Sequence, residues 1–587
     1  MKILEKILEY IKKNRVKCII AAAVVLVLIL MFVGFKTLVK VGNPKYFYNY
    51  MHDTAGSLDV VYNASATEGA DRTNAYCTEE TDPAKHKVVE KLRVDGQPAD
   101  AVRRGEQIDF SYDFVTGLAG VKGMLTFRGN YARSMTSVGS AAIENEKFTS
   151  GSWTYSTGKV LKSNGVDYWS GNGWTGQPVV VRWDEDVKKT MNLFDSAKNK
   201  KGLTEVIYPG MDGCIHFLDI ETGEETRPTI YVGMTFKGTA SLYPDGTPLL
   251  FCGSGDAQTG QFGENVCQRF YIYSLIDGTL LYEGGYNDDF APRTWHAYDS
   301  SPVIDPVTDT LIQPGENGVI YTMRLNTQYD RATGALSIAP SEFIDYTFTI
   351  EGKYSQSGYL WGSECSAAVY GGYLFIGDNA GTFYCLDLNT MKMVWVQELN
   401  EDINSSPIFE AEGSNKYVYI ATTLKYNYNS HSMGEAAIYK INAMNGSIIW
   451  KKPYEVHTVK GYAGGVLSTG VPGSGIVSDY IFYSVSKLPE IEGGMLVALN
   501  RHTGKEEWTL DLDMYSWSSS VLTFSQSGRA YLLQGCQNGD LLLINAANGK
   551  ILDKRNFGSG IEATPVIFGN RIVLATRSEK IIGISIE

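Results

Sequence analysis

Four short segments carry the side chains that could do chemistry: 168–174, 293–299, 359–364 and 515–517. Each sets a tryptophan beside polar neighbours. Trp295, Trp361 and Trp517 offer flat apolar planes, while His296, Asp299 and Glu364 offer a titratable ring and two carboxylates. Aromatic planes beside carboxylates and hydroxyls suit a sugar ring or a peptide, since they bury apolar area and still satisfy polar groups. Asp299 and Glu364 also form the one carboxylate pair worth testing as acid and base in a hydrolase or lyase. The competing reading is that these tryptophans fill gaps between structural elements.

Other chemistry finds little support. The chain has no C-x-x-C, no H-E-x-x-H and no Cys/His cluster, so no zinc site is indicated. Residues 470–475 are glycine-rich but lack the lysine and following helix of a phosphate cradle. Asp378-Asn379-Ala380-Gly381 resembles the start of a calcium loop and lacks its terminal glutamate. None of the seven histidines sits at a Ser/His/Asp spacing. The formal charge is −13, and residues 1–17 hold six basic side chains against two acidic ones. The remainder is therefore strongly acidic, which argues against nucleic acid as a partner.

The elements that must position these segments repeat. Residues 378–395 read DNAGTFYCLDLNTMKMVW: a tight turn, an alternating strand, a second turn and a strand ending on Trp395. The same unit recurs at 493–508, 436–450, 537–552 and 211–225, with degenerate copies at 270–278 and 317–326. Trp395, Trp450 and Trp508 share one column of the repeat and are expected as packing anchors. A small-small-Pro-apolar strand precedes several copies: Ser300-Ser301-Pro302, Ser405-Ser406-Pro407, Ala563-Thr564-Pro565 and, more loosely, Gly176-Gln177-Pro178.

The unit resembles the repeat of the pyrroloquinoline-quinone-type (PQQ-like) β-propellers, with the signature G-x-apolar-x-A-L-(D/N)-x-x-T-G-x-x-x-W. Gly494, Ala498, Leu499, Asn500, Thr503, Gly504 and Trp508 carry it best. The resemblance implies an all-β fold, a propeller of four-stranded blades over 151–587. Eight blades are favoured, and seven are compatible with the two poor copies. The lead-in segments 168–174, 293–299, 359–364 and 515–517 would then meet around a central funnel. The quinone enzymes of the family carry adjacent half-cystines, a tryptophan floor and a calcium-bound cofactor. This chain has no Cys-Cys pair, so no cofactor is expected and the resemblance is to a membrane-anchored, non-enzymatic branch.

Residues 18–35 carry no charge and lie at the short end of a bilayer span. No small-residue cleavage site follows, so an uncleaved transmembrane signal anchor is expected, with residues 1–17 cytoplasmic and the propeller outside. Residues 36–85 are expected as a stalk. Within 86–150, the runs 87–94 and 106–113 suggest a hairpin around Asp95-Gly96-Gln97-Pro98. Thr126-Phe127-Arg128-Gly129-Asn130 is similar to a segment that leads into such propellers in membrane-anchored relatives, and it is expected to pack on the ring. The chain ends before the last blade's tryptophan strand, so residues 152–158, with Trp153 as anchor, are expected to close the ring. Cys252 and Cys267 flank one hairpin and read either as a disulfide or as two buried thiols. The function expected is an extracytoplasmic binding or scaffold module for an envelope glycan, peptide or protein partner. A hydrolase or lyase at the funnel is the alternative, and a quinone-dependent dehydrogenase the less favoured one.

Overall fold

A computed structural model describes residues 13, 60–63, 74–117, 121–162, 164–173, 176–256, 258–259, 265–266, 268–352, 361–399, 401–424, 432–459 and 462–587. The expected anchor, 18–35, lies outside these residues. No helix among the described residues is long and apolar enough to cross a membrane. Among the described residues the architecture is all-β: eight largely antiparallel sheets in a ring, with three short α-helices and three two-stranded hairpins beside them.

The first strands of blades 1 to 8 are, in order, Val179–Arg182, Ser241–Leu242, Val303–Asp305, Ala368–Tyr370, Ile408–Glu412, Val471–Pro472, Val521–Phe524 and Val566–Phe568. Both faces of each sheet pack on a neighbouring blade, so the middle strands are buried on both faces: Thr382–Asp387 and Asp540–Asn545 are buried at all but their last residue. The strand-turn-strand unit read in the sequence is the third and fourth strands of a blade. In blade 4, Thr382–Asp387 pairs with Lys392–Glu398, with Cys385 opposite Trp395.

Closure follows the expectation. Trp153–Ser156 supplies the fourth strand of blade 8, with Gly583 opposite Trp153 and Lys580 opposite Ser156. Each column tryptophan then fastens its blade to the next one. The Nε1–H of Trp395 donates to the Ala443 carbonyl (2.9 Å), that of Trp450 to Arg501 (3.1 Å), that of Trp508 to Ala546 (3.1 Å) and that of Trp153 to Ile220 (2.9 Å). Each indole lies on a turn glycine of the next blade: Gly446, Gly504, Gly549 and Gly223. All four have φ between +67° and +75°, and a Cβ on any of them would come within 2.8 Å of the ring. The turn glycine of the repeat is therefore fixed twice, by its left-handed backbone and by the indole above it.

The residues before the ring wrap it and then fill its axis. Val61–Tyr62 extends the outer edge of blade 5, the Thr81 carbonyl accepts from Val396 at the edge of blade 4 (3.0 Å), and Val88–Val94 extends blade 3 by pairing with Ser341–Ile350. Parts of the expected stalk thus lie along the ring. The expected hairpin forms between Val88–Val94 and Gln97–Ala99. Its second arm is not 106–113: that run makes one bridge, Phe110 to Gly371, and starts the helix Tyr112–Thr116. The two-residue Asp95-Gly96 turn starts the return at once, at Gln97 opposite Val94.

Residues 123–138 run through the middle and touch the innermost strand or lead-in of every blade. Gly123–Met124 pairs with blade 1, and Ser137–Val138 with blade 8. The Leu125 carbonyl accepts from Leu242 of blade 2, the Tyr131 hydroxyl from Ile304 of blade 3, the Tyr131 carbonyl from Val369 of blade 4, and the Ala132 carbonyl from Phe409 of blade 5. Arg128 donates to the carbonyls of Thr469 (3.1 Å) and Gly470 of blade 6 and Ser520 of blade 7 (2.7 Å). Arg133 donates to Ala367 (2.7 Å) and Phe127 (3.0 Å). Both arginines are fully buried, and burial pulls both guanidinium groups below their ordinary range. The segment packs on the ring as expected, but at its axis.

Two outcomes test this account. Arg128→Met strips donors from three buried carbonyls and should lower unfolding stability by about 3–5 kcal/mol, read from the urea midpoint; a loss below about 1 kcal/mol would show that the axial segment is dispensable. Deleting residues 151–158 should replace the single cooperative unfolding transition with a broad one.

Candidate functional site

The small residues before the innermost strands form an arc of hydrogen bonds around the axis. The Ser366 hydroxyl accepts from the Ser301 amide (2.9 Å), Ser406 from Ser366 (2.9 Å), Thr469 from Ser406 (3.0 Å), and Ser519 from Thr469 (2.9 Å). Thr239 accepts from Gln177 (2.6 Å). Only a short hydroxyl-bearing side chain both fits at the crowded axis and reaches the next blade, which accounts for the Ser-Ser-Pro lead-ins. Two positions earlier stands one residue per blade: Lys237, Asp299, Glu364, Asn404, Leu467, Trp517 and Glu562 for blades 2 to 8. Asp299, Glu364, Asn404 and Leu467 line an axial recess whose other walls include Phe127 and the Ser/Thr column. The cavity there is about 20 Å³, room for a water or two.

Charge collects on one arc of this rim. Burial pushes the Asp299 carboxyl up to about 7; Lys237 pulls against that, and Glu364 adds to it. Glu316 is raised as well, by burial first and then by Glu364. Arg293 pairs with Glu316 (3.1 Å) and donates to the Asn379 amide oxygen (2.9 Å), and the Trp295 Nε1–H donates to Glu316 (3.1 Å). Burial opposes the charge of Lys237, but Asp299, Asp256 and Glu316 outweigh it and hold the ammonium above its ordinary range. Lys237 meets Asp256 at 3.0 Å. Four carboxyls, Asp299, Glu364, Glu316 and Asp256, thus share two cations, Lys237 and Arg293, in a confined space, an arrangement that retains a proton near neutral pH.

Of the residues singled out in the sequence, Trp295, Asp299 and Glu364 meet here. His296 lies to the side, 3.4 Å from the Asn317 amide, and burial lowers its pKa. Trp361 is 6% exposed and stands edge-on to Phe348 (6.1 Å, 85°). Trp517 is 4% exposed, on the far arc, beside Tyr515 (5.5 Å) and Tyr462 (6.1 Å). Sequence reasoning missed Lys237, Glu316 and Glu562, and it placed Arg293 in a funnel segment without giving it a role. Lys237 and Glu562 could have been found by counting back from each small-small pair.

Two other sequence questions resolve in part. Cys252 is a buried free thiol opposite Tyr271, and Cys267 lies outside the described residues. Folding does bring together a cluster that spacing alone did not suggest: Asp212, Cys214 and His216 have ligand-type atoms within 4.8 Å of one another. Asp212 is already engaged by His216 Nε2 (2.9 Å) and by the amide of Gly158 (2.8 Å). As for the quinone that the resemblance brings up, the axial recess offers hydroxyls, one phenyl ring and about 20 Å³. That is neither the volume nor the broad apolar floor such a group needs, and the residues present do not fit it.

The raised Asp299 has a consequence for stability. Its folded pKa of about 7 exceeds the unfolded value, about 3.9, so the unfolded chain releases this proton first as pH rises. Stability therefore falls across the window from about 4 to about 7. Asp299→Asn should be more stable than the parent at pH 8, by at least about 1.4 kcal/mol, the worth of one pKa unit, and should lose that advantage below pH 4. A difference independent of pH would rule out the retained proton.

A family model described as outer membrane protein assembly factor BamB matches residues 329–454 and 492–587, well under half of the chain. A curated relative, outer membrane protein assembly factor BamB of Yersinia pestis, is 24% identical over 204 residues, covering 35% of this chain and 46% of its own length. Among solved structures, BamB from Moraxella catarrhalis aligns over 69% of this chain and 96% of its own at 14% identity (TM-score 0.40). Quinohemoprotein alcohol dehydrogenase from Comamonas testosteroni aligns over 82% of each chain at 13% identity (TM-score 0.36). The repeats, and the residues matched, support a PQQ-like propeller repeat in this chain.

Proposed function

We propose that this protein is an envelope-associated scaffold whose rim docks a protein partner through Trp295, Asp299 and Glu364, with His296, Trp361 and Trp517 bracing the surface around them. The filled axis carries this reading. Residues 123–138 occupy the channel and leave about 20 Å³ above them, too little for a sugar ring or a cofactor. What remains for recognition is a shallow rim of carboxylates, a lysine and partly exposed indole, which suits the side chains of another protein better than an enclosed ligand. The curated relative is described as an assembly factor, which supports a scaffold. The apolar run 18–35 would tether the chain to the membrane; protease added to intact cells should then remove the propeller and spare a short N-terminal fragment.

A photo-crosslinking residue at position 295, in the full chain in cells, should trap a discrete protein. The Trp295→Ala, Glu364→Gln double variant, with an unchanged urea midpoint, should reduce capture from position 299 at least tenfold, about 1.4 kcal/mol of binding. Undiminished capture would overturn the assignment. The retained proton of Asp299 beside Glu364 favours one second reading, acid–base chemistry at the rim. It requires turnover of about 1 s⁻¹ or more on envelope glycan or peptide, with loss in Asp299→Asn.

A further inference from the structure

On the face opposite the recess, at the seam between blades 8 and 1, lies a cavity of about 330 Å³, within the size range of small-molecule sites. Its charged wall comes from four distant parts of the chain. Lys122 stands where the axial segment enters, Arg182 ends the first strand of blade 1, Lys200 follows the helix Asp195–Asn199, and Arg571 starts the second strand of blade 8. Phe568 forms the floor, with the Arg182 guanidinium 4.9 Å and the Lys122 ammonium 5.6 Å from its ring centre. Lys200 is already neutralised by Asp219 and Glu221, both at 2.7 Å. Among the described residues Lys122, Arg182 and Arg571 make no ion pair; Arg182 donates to Thr204 (3.0 Å) and Arg571 to Ser585 (2.8 Å). Glu221, which also lines the cavity, is held below its ordinary range by Lys200 first, then by Arg571 and Arg182, so Lys200, Arg571 and Arg182 lie around that carboxylate, and Lys122 joins Arg182 over the Phe568 ring.

Such a concentration is at odds with the chain as a whole, whose formal charge is −13. The walls are also built rather than loose. The Lys122 carbonyl accepts from the Arg182 amide (2.9 Å), and the Val138 carbonyl from the Gly569 amide (2.7 Å), so both ends of the axial segment are tied to the blades that carry the cations. Three unpaired cations on a concave, fixed surface match a compact dianion, and the forked donors of two arginines match tetrahedral oxyanions. We propose that this cleft binds a phosphate monoester, either as a free small molecule or as the headgroup of a lipid.

The purified full chain should be titrated with inorganic phosphate and mixed with phosphatidylcholine vesicles with and without phosphatidic acid. The expected result is phosphate binding that weakens at least tenfold in Arg182→Ala, Arg571→Ala and is unchanged in Lys550→Ala, an exposed lysine of blade 7. Retention on phosphatidic acid vesicles alone, lost in the same double variant, would support the site and assign it to a lipid. No binding of either probe, or equal binding by parent and double variant, overturns the proposal. If the double variant shifts the urea midpoint, Lys122→Ala, which changes only an exposed side chain, repeats the test.

Discussion

Everything in this ring depends on what occupies its axis. Eight innermost strands turn an unpaired backbone edge toward the centre, and buried amides and carbonyls left without partners are costly. Residues 123–138 supply partners to all eight blades, yet no single extended segment could face all of them. Two long side chains extend its reach. Arg128 bridges blades 6 and 7, and Arg133 reaches blade 4. Both residues hold positive φ, +57° and +58°, a backbone state that costs a non-glycine residue energy and persists only where surroundings over-determine it. Fully buried guanidinium groups bonded to carbonyls are those surroundings. Their desolvation is offset by several charge-assisted hydrogen bonds each, and removing either partner would leave the other stranded.

The rim of the ring is fastened by different means. There the indole of one blade seals against a left-handed glycine of the next and donates to a neighbouring carbonyl. The axis joins all blades at once, whereas the tryptophans join them in pairs. Trp153 uses the same device at the seam where the two ends of the ring meet. Blade 8 is therefore completed from sequence before blade 1. Closure and filling are coupled because 123–138 and 153–156 are separated by a short stretch that itself pairs with blades 7 and 8, through Ala141 and Phe148.

This division explains what could be read from the residues. The repeat was legible because its period, its T-G turn and its tryptophan serve packing that is the same in each blade. Trp153 was legible as a missing member of that column. The wrapping of blades 3 to 5 was not, because edge pairing uses backbone and leaves little mark on side-chain type; Val88–Val94 announced a strand but not its partner. The axial role of 126–130 was hidden for a related reason. Its partners are carbonyls, which carry no sequence signature. At the candidate site, Asp299 and Glu364 stood out by composition, whereas Trp361 looked like a ligand stacker and is nearly buried. Exposure depends on the neighbouring blade, which local sequence does not encode. Lys237 and Glu562 are marked only by their fixed offset, two residues before the hydroxyl column.

The two faces of the ring end up with opposite character, and the fold gives a reason. On the recess face each blade contributes one residue at a fixed distance from the hydroxyl chain, so substitutions in that column change the rim without touching the repeat. Blades 3, 4 and 8 contribute carboxylates there, and blade 2 a lysine. On the far face the ends of the axial segment emerge between blades 8 and 1, where closure already departs from the repeat. Lys122, Arg182 and Arg571 gather at that departure. In a symmetric scaffold, chemistry accumulates where symmetry is broken, because only there can side chains differ without a matching change in every blade. The rim column and the closure seam are the two such places in this molecule, and they are separated by the depth of the filled channel.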